Sequence, residues 1–120
     1  MIKIIPDLPN NIIGFEARGI VTGKDYETVL VPAVEAKLAE FSKVRLLYHL
    51  GSDFSGYDLE AMWDDTKIGI KHLRSWERIA VVTDTKWIRS AVHIFGFALP
   101  GHVRIFGNDE LSIAKKWLSE

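Results

Sequence analysis

The sequence predicts an α/β fold with a mixed, mainly parallel sheet of about five strands, an N-terminal antiparallel hairpin and four main helices. Two observations carry this prediction. Short apolar runs alternate with helical patterns along the whole chain, which is typical of parallel strands joined by right-handed crossovers. No linker, repeat or low-complexity tract interrupts that order, so residues 1–120 are expected to form one domain.

The N-terminal hairpin is predicted from two strand patterns separated by turn residues. Ile2 to Ile5 forms a short strand that stops at Pro6. The Asn10-Asn11 pair then turns the chain into a second strand, Ile12 to Ile20. Because the connection is short, the two strands are expected to pair antiparallel.

A helix is predicted to follow from about Thr22, whose hydroxyl can cap it, with Asp25 in its first turn. One side of this helix is apolar as far as Phe41. Pro32 lies inside the pattern, where it removes a hydrogen bond and is expected to kink the helix.

The rest of the chain repeats the alternation of strand and helix. The hydrophobic period switches between two and about 3.6 residues, and Gly and Pro mark several boundaries. The predicted elements are a strand over Val44 to Leu50, a helix carrying Leu59, Trp63, Ile70 and Leu73, a buried strand over Arg78 to Asp84, a helix over Thr85 to Leu99, a strand over His102 to Phe106 and a helix over Asp109 to Leu118.

Three strands carry charged or imidazole side chains on one face and apolar side chains on the other. A sheet covered on both faces would be expected to be apolar on both. The helices are therefore expected to cover mostly one face, leaving the other partly wet. That face is either a solvated surface or a docking face for an anionic ligand or partner. It carries Arg18, Arg45, His49, His102 and Arg104.

Composition restricts the classes of function. The chain has no cysteine, which excludes disulfides, thiolate catalysis and Cys-type zinc sites. Its net charge is −1 with basic and acidic residues interspersed, so nucleic acid is not an expected partner. The N-terminus has no signal-peptide pattern and no apolar run approaches the length of a membrane span, so a cytoplasmic location is expected.

Four motifs, in this order and spacing, carry a family resemblance. They are Gly19 with Asp25-Tyr26, then Asp53-Phe54-Ser55-Gly56, then Ala61-Met62-Trp63-Asp64-Asp65, and last Arg78-Ile79-Ala80-Val81-Val82 with Asp84 and Trp87. Together they make the chain resemble the SpoIIAA-like family of the STAS group, whose best-known members are bacterial anti-sigma-factor antagonists. The resemblance covers nearly the whole chain and implies a sheet wound with helices as a βα superhelix.

The resemblance also implies a regulatory turn at Ser52, Asp53, Ser55 and Gly56. In the antagonists, phosphorylation of the serine directly after the turn aspartate abolishes binding to the kinase partner. Here that position holds Phe54, which has no hydroxyl to phosphorylate. Ser52 or Ser55 can serve instead, or Ser55 can simply cap the following helix.

The two helices beside this turn are rich in large apolar groups, more than a helix with one covered side needs. One hypothesis is a movable cover over a pocket that holds an apolar or lipid-like molecule. The alternatives are an ordinary core or a homodimer interface on the same helix. The predicted pocket residues are Phe54, Met62, Trp63, Trp87 and Phe95.

The same surface is predicted to touch a membrane peripherally when the cover opens. Trp87 would lie at the headgroup level, flanked by the cations Lys86 and Arg89. A second reading is a STAS-type module that regulates a protein partner through the turn at residues 52–56.

No catalytic constellation is found. Asp65 and His72 are two helical turns apart, too far to share one metal ion, and a solvated acidic turn explains them better. The Gly19 to Gly23 segment lacks both nucleotide-binding fingerprints. No serine elbow accompanies the histidines. We therefore expect a protein that is not an enzyme and needs no cofactor or metal.

Overall fold

Five strands form one mixed sheet in the spatial order β1-β2-β3-β4-β5. The structure, a computed structural model, describes residues 1–58, 75–95 and 102–120. The strands are β1 (Ile2–Ile4), β2 (Ile12–Val21), β3 (Val44–Tyr57), β4 (Trp76–Thr83) and β5 (His102–Phe106). β1 pairs antiparallel with β2, and β2 to β5 run parallel. The predicted α/β class and the N-terminal hairpin are therefore confirmed.

Helical segments connect the parallel strands. Between β2 and β3 run α1 (Gly23–Asp25), a π-helical turn (Tyr26–Leu30) and α2 (Val31–Glu40); α3 (Lys86–Phe95) follows β4; a 3-10 turn (Asn108–Glu110) and α4 (Leu111–Ser119) follow β5. The 3-10 turn occupies the start of the helix predicted from Asp109. The helix predicted to carry Leu59 and Leu73 lies outside the described residues.

The predicted helix start at Thr22 is confirmed. The Thr22 hydroxyl accepts a hydrogen bond from the Asp25 N–H at 3.2 Å, and the Asp25 carboxylate accepts from the Thr22 N–H at 2.9 Å. Burial acts to raise the pKa of Asp25, but the hydrogen bonds from Thr22 and the nearby Met1 amino group outweigh it and hold this pKa below its ordinary value. This capping box satisfies two backbone donors that the helix start would leave unpaired.

Pro32 disrupts the helix through a π-helical turn. In a regular α-helix its ring would collide with the carbonyl four residues back. Here the Val31 N–H donates to the Tyr26 carbonyl, five residues back, directly before the proline. Pro32 itself lies at the start of α2, where a missing N–H costs least.

The two faces of the sheet carry separate clusters of buried side chains. Phe15, Tyr48 and Val81 are adjacent across β2, β3 and β4 and point to the first face. The buried members of the first cluster are Ile2, Ile13, Phe15, Ala17, Val21, Tyr26, Leu30, Val34, Val44, Tyr48, Leu50, Trp76, Ile79, Val81 and Ile88. The helical segment 23–40 and α3 therefore cover this face.

The second face is covered as well, by α4. Leu47 and Ala80 of the sheet pack with Ala114 and Leu118 of this helix, all four at most 1 % exposed. Burying a leucine fully stabilises a fold by about 2 kcal/mol, so α4 is a substantial part of the core. The closing helix predicted up to Leu118 thus buries Ala114 and Leu118 against the sheet.

The prediction that helices cover mostly one face is wrong, because α4 packs on the second face, although that face is partly wet as predicted. Arg45 is mostly buried, and its guanidinium donates to the Leu118 carbonyl and to Glu77, both at 2.6 Å. Arg18, His102 and Arg104 are exposed, as expected, and His49 is half-buried. The charged side chains misled the prediction because arginine stems lie along apolar surface while their heads bind helix carbonyls.

Candidate functional site

β3 is twice as long as predicted, and its second half forms one wall of the candidate site. It pairs with β4 from Val44 to Leu50 and continues beside β2 as far as Tyr57. The prediction of a turn over residues 52–56 is therefore wrong. The pairing of β2 with the second half of β3 is irregular near Gly19. Two glycines with positive φ, Gly19 at +59° and Gly56 at +150°, allow this irregular pairing, so that residues 51–57 remain part of the strand.

The residues predicted to form the regulatory turn lie on this extended strand. Ser52, Asp53 and Ser55 are exposed, whereas Gly56 is half-buried. Among the described residues, neither serine hydroxyl takes part in a hydrogen bond. The cap considered for Ser55 is not seen there, and both hydroxyls face solvent on a strand.

Three tyrosines, all that the chain contains, meet on the first face. Tyr48 lies at the centre, with its hydroxyl 2.9 Å from that of Tyr26 and 3.1 Å from that of Tyr57, which donates to it. Tyr26 is fully buried, and its ring stacks on that of Tyr57 with centroids 6.3 Å apart. A π-helical turn, a strand centre and a strand end thus place three hydroxyls together.

A row of rings continues from these tyrosines to the surface. Phe54 meets Tyr57 edge-on at 5.2 Å, and Tyr57 meets Trp87 edge-on at 6.1 Å between centroids. Phe54 is partly buried and Trp87 is 50 % exposed. We call the five rings of Tyr26, Tyr48, Phe54, Tyr57 and Trp87 the aromatic cluster.

The aromatic cluster extends to the carboxyl ends of the parallel strands. β2 ends at Val21, and Asp58, which follows β3, accepts a hydrogen bond from the Gly23 N–H at 3.2 Å. α3 begins at Lys86, soon after β4 ends. In open α/β sheets this edge is where ligands usually bind, because loops and helix starts converge there.

The predicted membrane-contact residues lie at the start of α3. Lys86 and Trp87 are exposed, whereas Arg89 is half-buried and donates to the Thr83 carbonyl at 2.9 Å. Ile88, the residue directly after Trp87, packs in the core. The exposed indole is therefore part of a helix that is firmly attached to the sheet.

The sequence identified some residues of this cluster and missed others. Phe54 and Trp87 were predicted as neighbours and share Tyr57 as a contact. The other predicted pocket residues, Met62, Trp63 and the side chain of Phe95, lie outside the described residues. The tyrosines were missed as a site. Tyr48 lies in an apolar stretch, which is an informative signal because a buried tyrosine needs a partner for its hydroxyl. Tyr26 and Tyr57 are flanked by Asp, Glu or Gly, so the sequence around them gives no such signal.

His49 lies on the second face, away from the aromatic cluster. Burial lowers its pKa, and Lys115 and Arg18 act in the same direction against the opposing effect of Glu16. Over the described ranges, no group of three or more His, Asp or Glu side chains is arranged to hold a metal ion. No helix described there is long and apolar enough to cross a membrane.

Comparisons with known proteins agree with this architecture. A family model described as SpoIIAA-like matches residues 12–119. A crystal structure of an uncharacterized protein from the DUF3478 family, with a SpoIIAA-like fold, from Shewanella loihica PV-4 is similar throughout. The identity is 27 % and the TM-score 0.81, covering 98 % of this chain and 93 % of that one. No curated protein matches the chain.

Proposed function

This chain belongs to the SpoIIAA-like family, and on that premise we propose that it is a non-enzymatic binding protein for an apolar or lipid-like small molecule. The ligand would lie against the aromatic cluster, at the carboxyl edge of the parallel strands. The observation that carries this proposal is the half-exposed Trp87 ring, held edge-on against Tyr57 on a helix packed into the core.

The chemistry of the cluster fits such a ligand. Binding sites for small molecules are mostly apolar and aromatic, with a few polar groups that fix orientation. Phe54, Tyr57 and Trp87 supply aromatic surface, and the hydroxyls of Tyr48 and Tyr57 supply polar groups a short distance inward. An amphipathic molecule fits this arrangement, with its apolar body against the rings and its polar group near the hydroxyls.

Peripheral membrane contact is the second part of the proposal. Trp87 and Lys86 are adjacent and both exposed, an arrangement that suits the interface of a bilayer with anionic headgroups. Arg89 contributes less in this conformation because its guanidinium is bound to the Thr83 carbonyl. Transfer of the ligand would then occur at the membrane surface.

The test compares Trp87→Ala with a matched control, Ile113→Ala. Ile113 is 54 % exposed on α4, so both substitutions remove a similarly exposed apolar side chain from a helix, but on opposite faces of the sheet. Covering the exposed half of an indole removes roughly 100 Å² from water, about 2.5 kcal/mol or roughly sixtyfold in affinity.

Binding of cis-parinaric acid, a fluorescent fatty acid, and sedimentation with phosphatidylcholine/phosphatidylglycerol vesicles give the two readouts. We expect Trp87→Ala to weaken both, with little change in the urea midpoint, and Ile113→Ala to leave both unchanged. Wild-type protein that binds neither probe, or Trp87→Ala that binds both as well as wild type, would refute the proposal.

A second candidate function is a protein-interaction module acting through the exposed strand segment at Ser52, Asp53 and Ser55. It is supported by the exposure of these three side chains beside Phe54. Native mass spectrometry of protein purified from its own host separates the two candidates. Ligand binding predicts a lipid that co-purifies with the protein. A protein-interaction module predicts a stoichiometric protein partner and no lipid.

A further inference from the structure

Two arginines on the second face of the sheet lie against the same tryptophan ring. The guanidinium carbons of Arg78 on β4 and Arg104 on β5 are each 5.2 Å from the centroid of Trp117 on α4. Arg104 also lies 5.0 Å from the Phe106 ring. We call Arg78, Arg104 and Trp117 the arginine–tryptophan cluster.

The positive charge of this cluster is not neutralised by its surroundings. Arg78 donates to the Trp117 carbonyl at 2.6 Å, and Arg104 is exposed. Within the part of the chain that the structure describes, no carboxylate lies within ion-pair distance of either guanidinium. The single acidic residue in β4, β5 and α4 is Glu77, which is bound to Arg45.

The cluster borders an edge of the sheet. β5 is the last strand in the spatial order, and over the described residues it pairs with β4 alone. Its side chains alternate, with His102 and Arg104 exposed on the α4 side and Val103 and Ile105 half-buried on the other. An edge strand offers unpaired N–H and C=O groups to an added strand.

We propose that the β5 edge binds an extended acidic segment of a partner protein, which adds a strand to the sheet and places alternate carboxylates against Arg104, His102 and Arg78. An extended peptide fits better than a free anion because the edge supplies backbone donors and acceptors beside the charges. This surface lies on the opposite face from the aromatic cluster and is independent of the proposed ligand site.

The test uses a short synthetic peptide that alternates glutamate and valine, with its lysine counterpart as the charge-reversed control. ¹⁵N-labelled protein is titrated with each peptide at low and high salt. We expect the glutamate peptide to shift the β5 amides, slow their exchange with solvent and bind more weakly at high salt. Arg104→Gln should weaken binding about twofold to fivefold, which is the upper part of the range for one exposed charge pair.

The matched control is Arg18→Gln, which removes another exposed arginine on the same face, one already paired with Glu16 at 2.9 Å. It should bind the peptide as wild type does. Equal binding of both peptides, or wild-type affinity in Arg104→Gln, would overturn the proposal. The proposal would also be overturned if tripolyphosphate shifted the amide signals of β5 and the glutamate peptide did not. No binding of the glutamate peptide at all would also overturn the proposal, and His102 and Arg104 would then be charges that prevent edge-to-edge pairing.

Discussion

The tyrosine hydroxyls make a quantitative prediction about stability. Tyr48→Phe removes the oxygen that both other tyrosines contact, at 2.9 Å and 3.1 Å. Each buried hydrogen bond contributes about 1 kcal/mol net. We therefore expect the free energy of unfolding to fall by about 2 kcal/mol, which lowers the Tm of a chain of this length by roughly 6–10 °C. Tyr48 is 7 % exposed, so water cannot readily take the place of the lost partner.

A double-mutant cycle isolates one of these bonds. Tyr48→Phe and Tyr57→Phe both remove the bond that Tyr57 donates to Tyr48, so the double variant should be more stable than the sum of the two single losses predicts, by about 1 kcal/mol. Urea unfolding followed by circular dichroism measures all four proteins. The control cycle pairs Tyr48→Phe with Ile113→Ala on the opposite face and should be additive.

The result that would refute this reasoning is a coupling energy below about 0.3 kcal/mol between Tyr48 and Tyr57, the limit of additivity for independent sites. In that case the hydroxyls would not form a bonded group in solution. The tyrosines would then contribute to the aromatic cluster through ring packing only.

Two further predictions concern single positions. Gly19→Ala should lower the free energy of unfolding, measured with urea, by about 1–2 kcal/mol. The cause is backbone strain at φ +59° and not a steric clash, because no atom lies within 4 Å of an added Cβ. Gly19→Asn should destabilise the protein less, and equal losses for the two variants would mean that backbone strain is not the cause. Because the pKa of His49 is lowered in the folded protein, the unfolded chain binds a proton at this side chain more tightly. The contribution of neutral His49 to the free energy of unfolding is therefore fully present above about pH 6.5 and is lost as the pH falls. His49→Gln should reduce the fall in Tm between about pH 7.5 and 5.5, and an unchanged fall would contradict this.

Local signals were sufficient for most of the architecture. The capping residues Thr22 and Asp25 are three positions apart, and the continuous apolar run Ile79-Ala80-Val81-Val82 marks β4 as a buried strand. The hairpin of β1 and β2 follows from a short connection. These features depend on neighbours along the chain, so the sequence by itself determined them.

Long-range partners decided the rest. Residues 51–57 carry glycine and serine typical of a turn, yet β2 pairs with them and keeps them extended. Tyr26 and Tyr48 are 22 positions apart and meet only because a helix folds back onto its sheet. From the sequence alone Arg45 was expected to be a surface charge, but in the structure its guanidinium donates to the Leu118 carbonyl of α4. Hydrogen bonds and burial between distant segments outweighed local preference at each of these positions, so only the tertiary structure decided them.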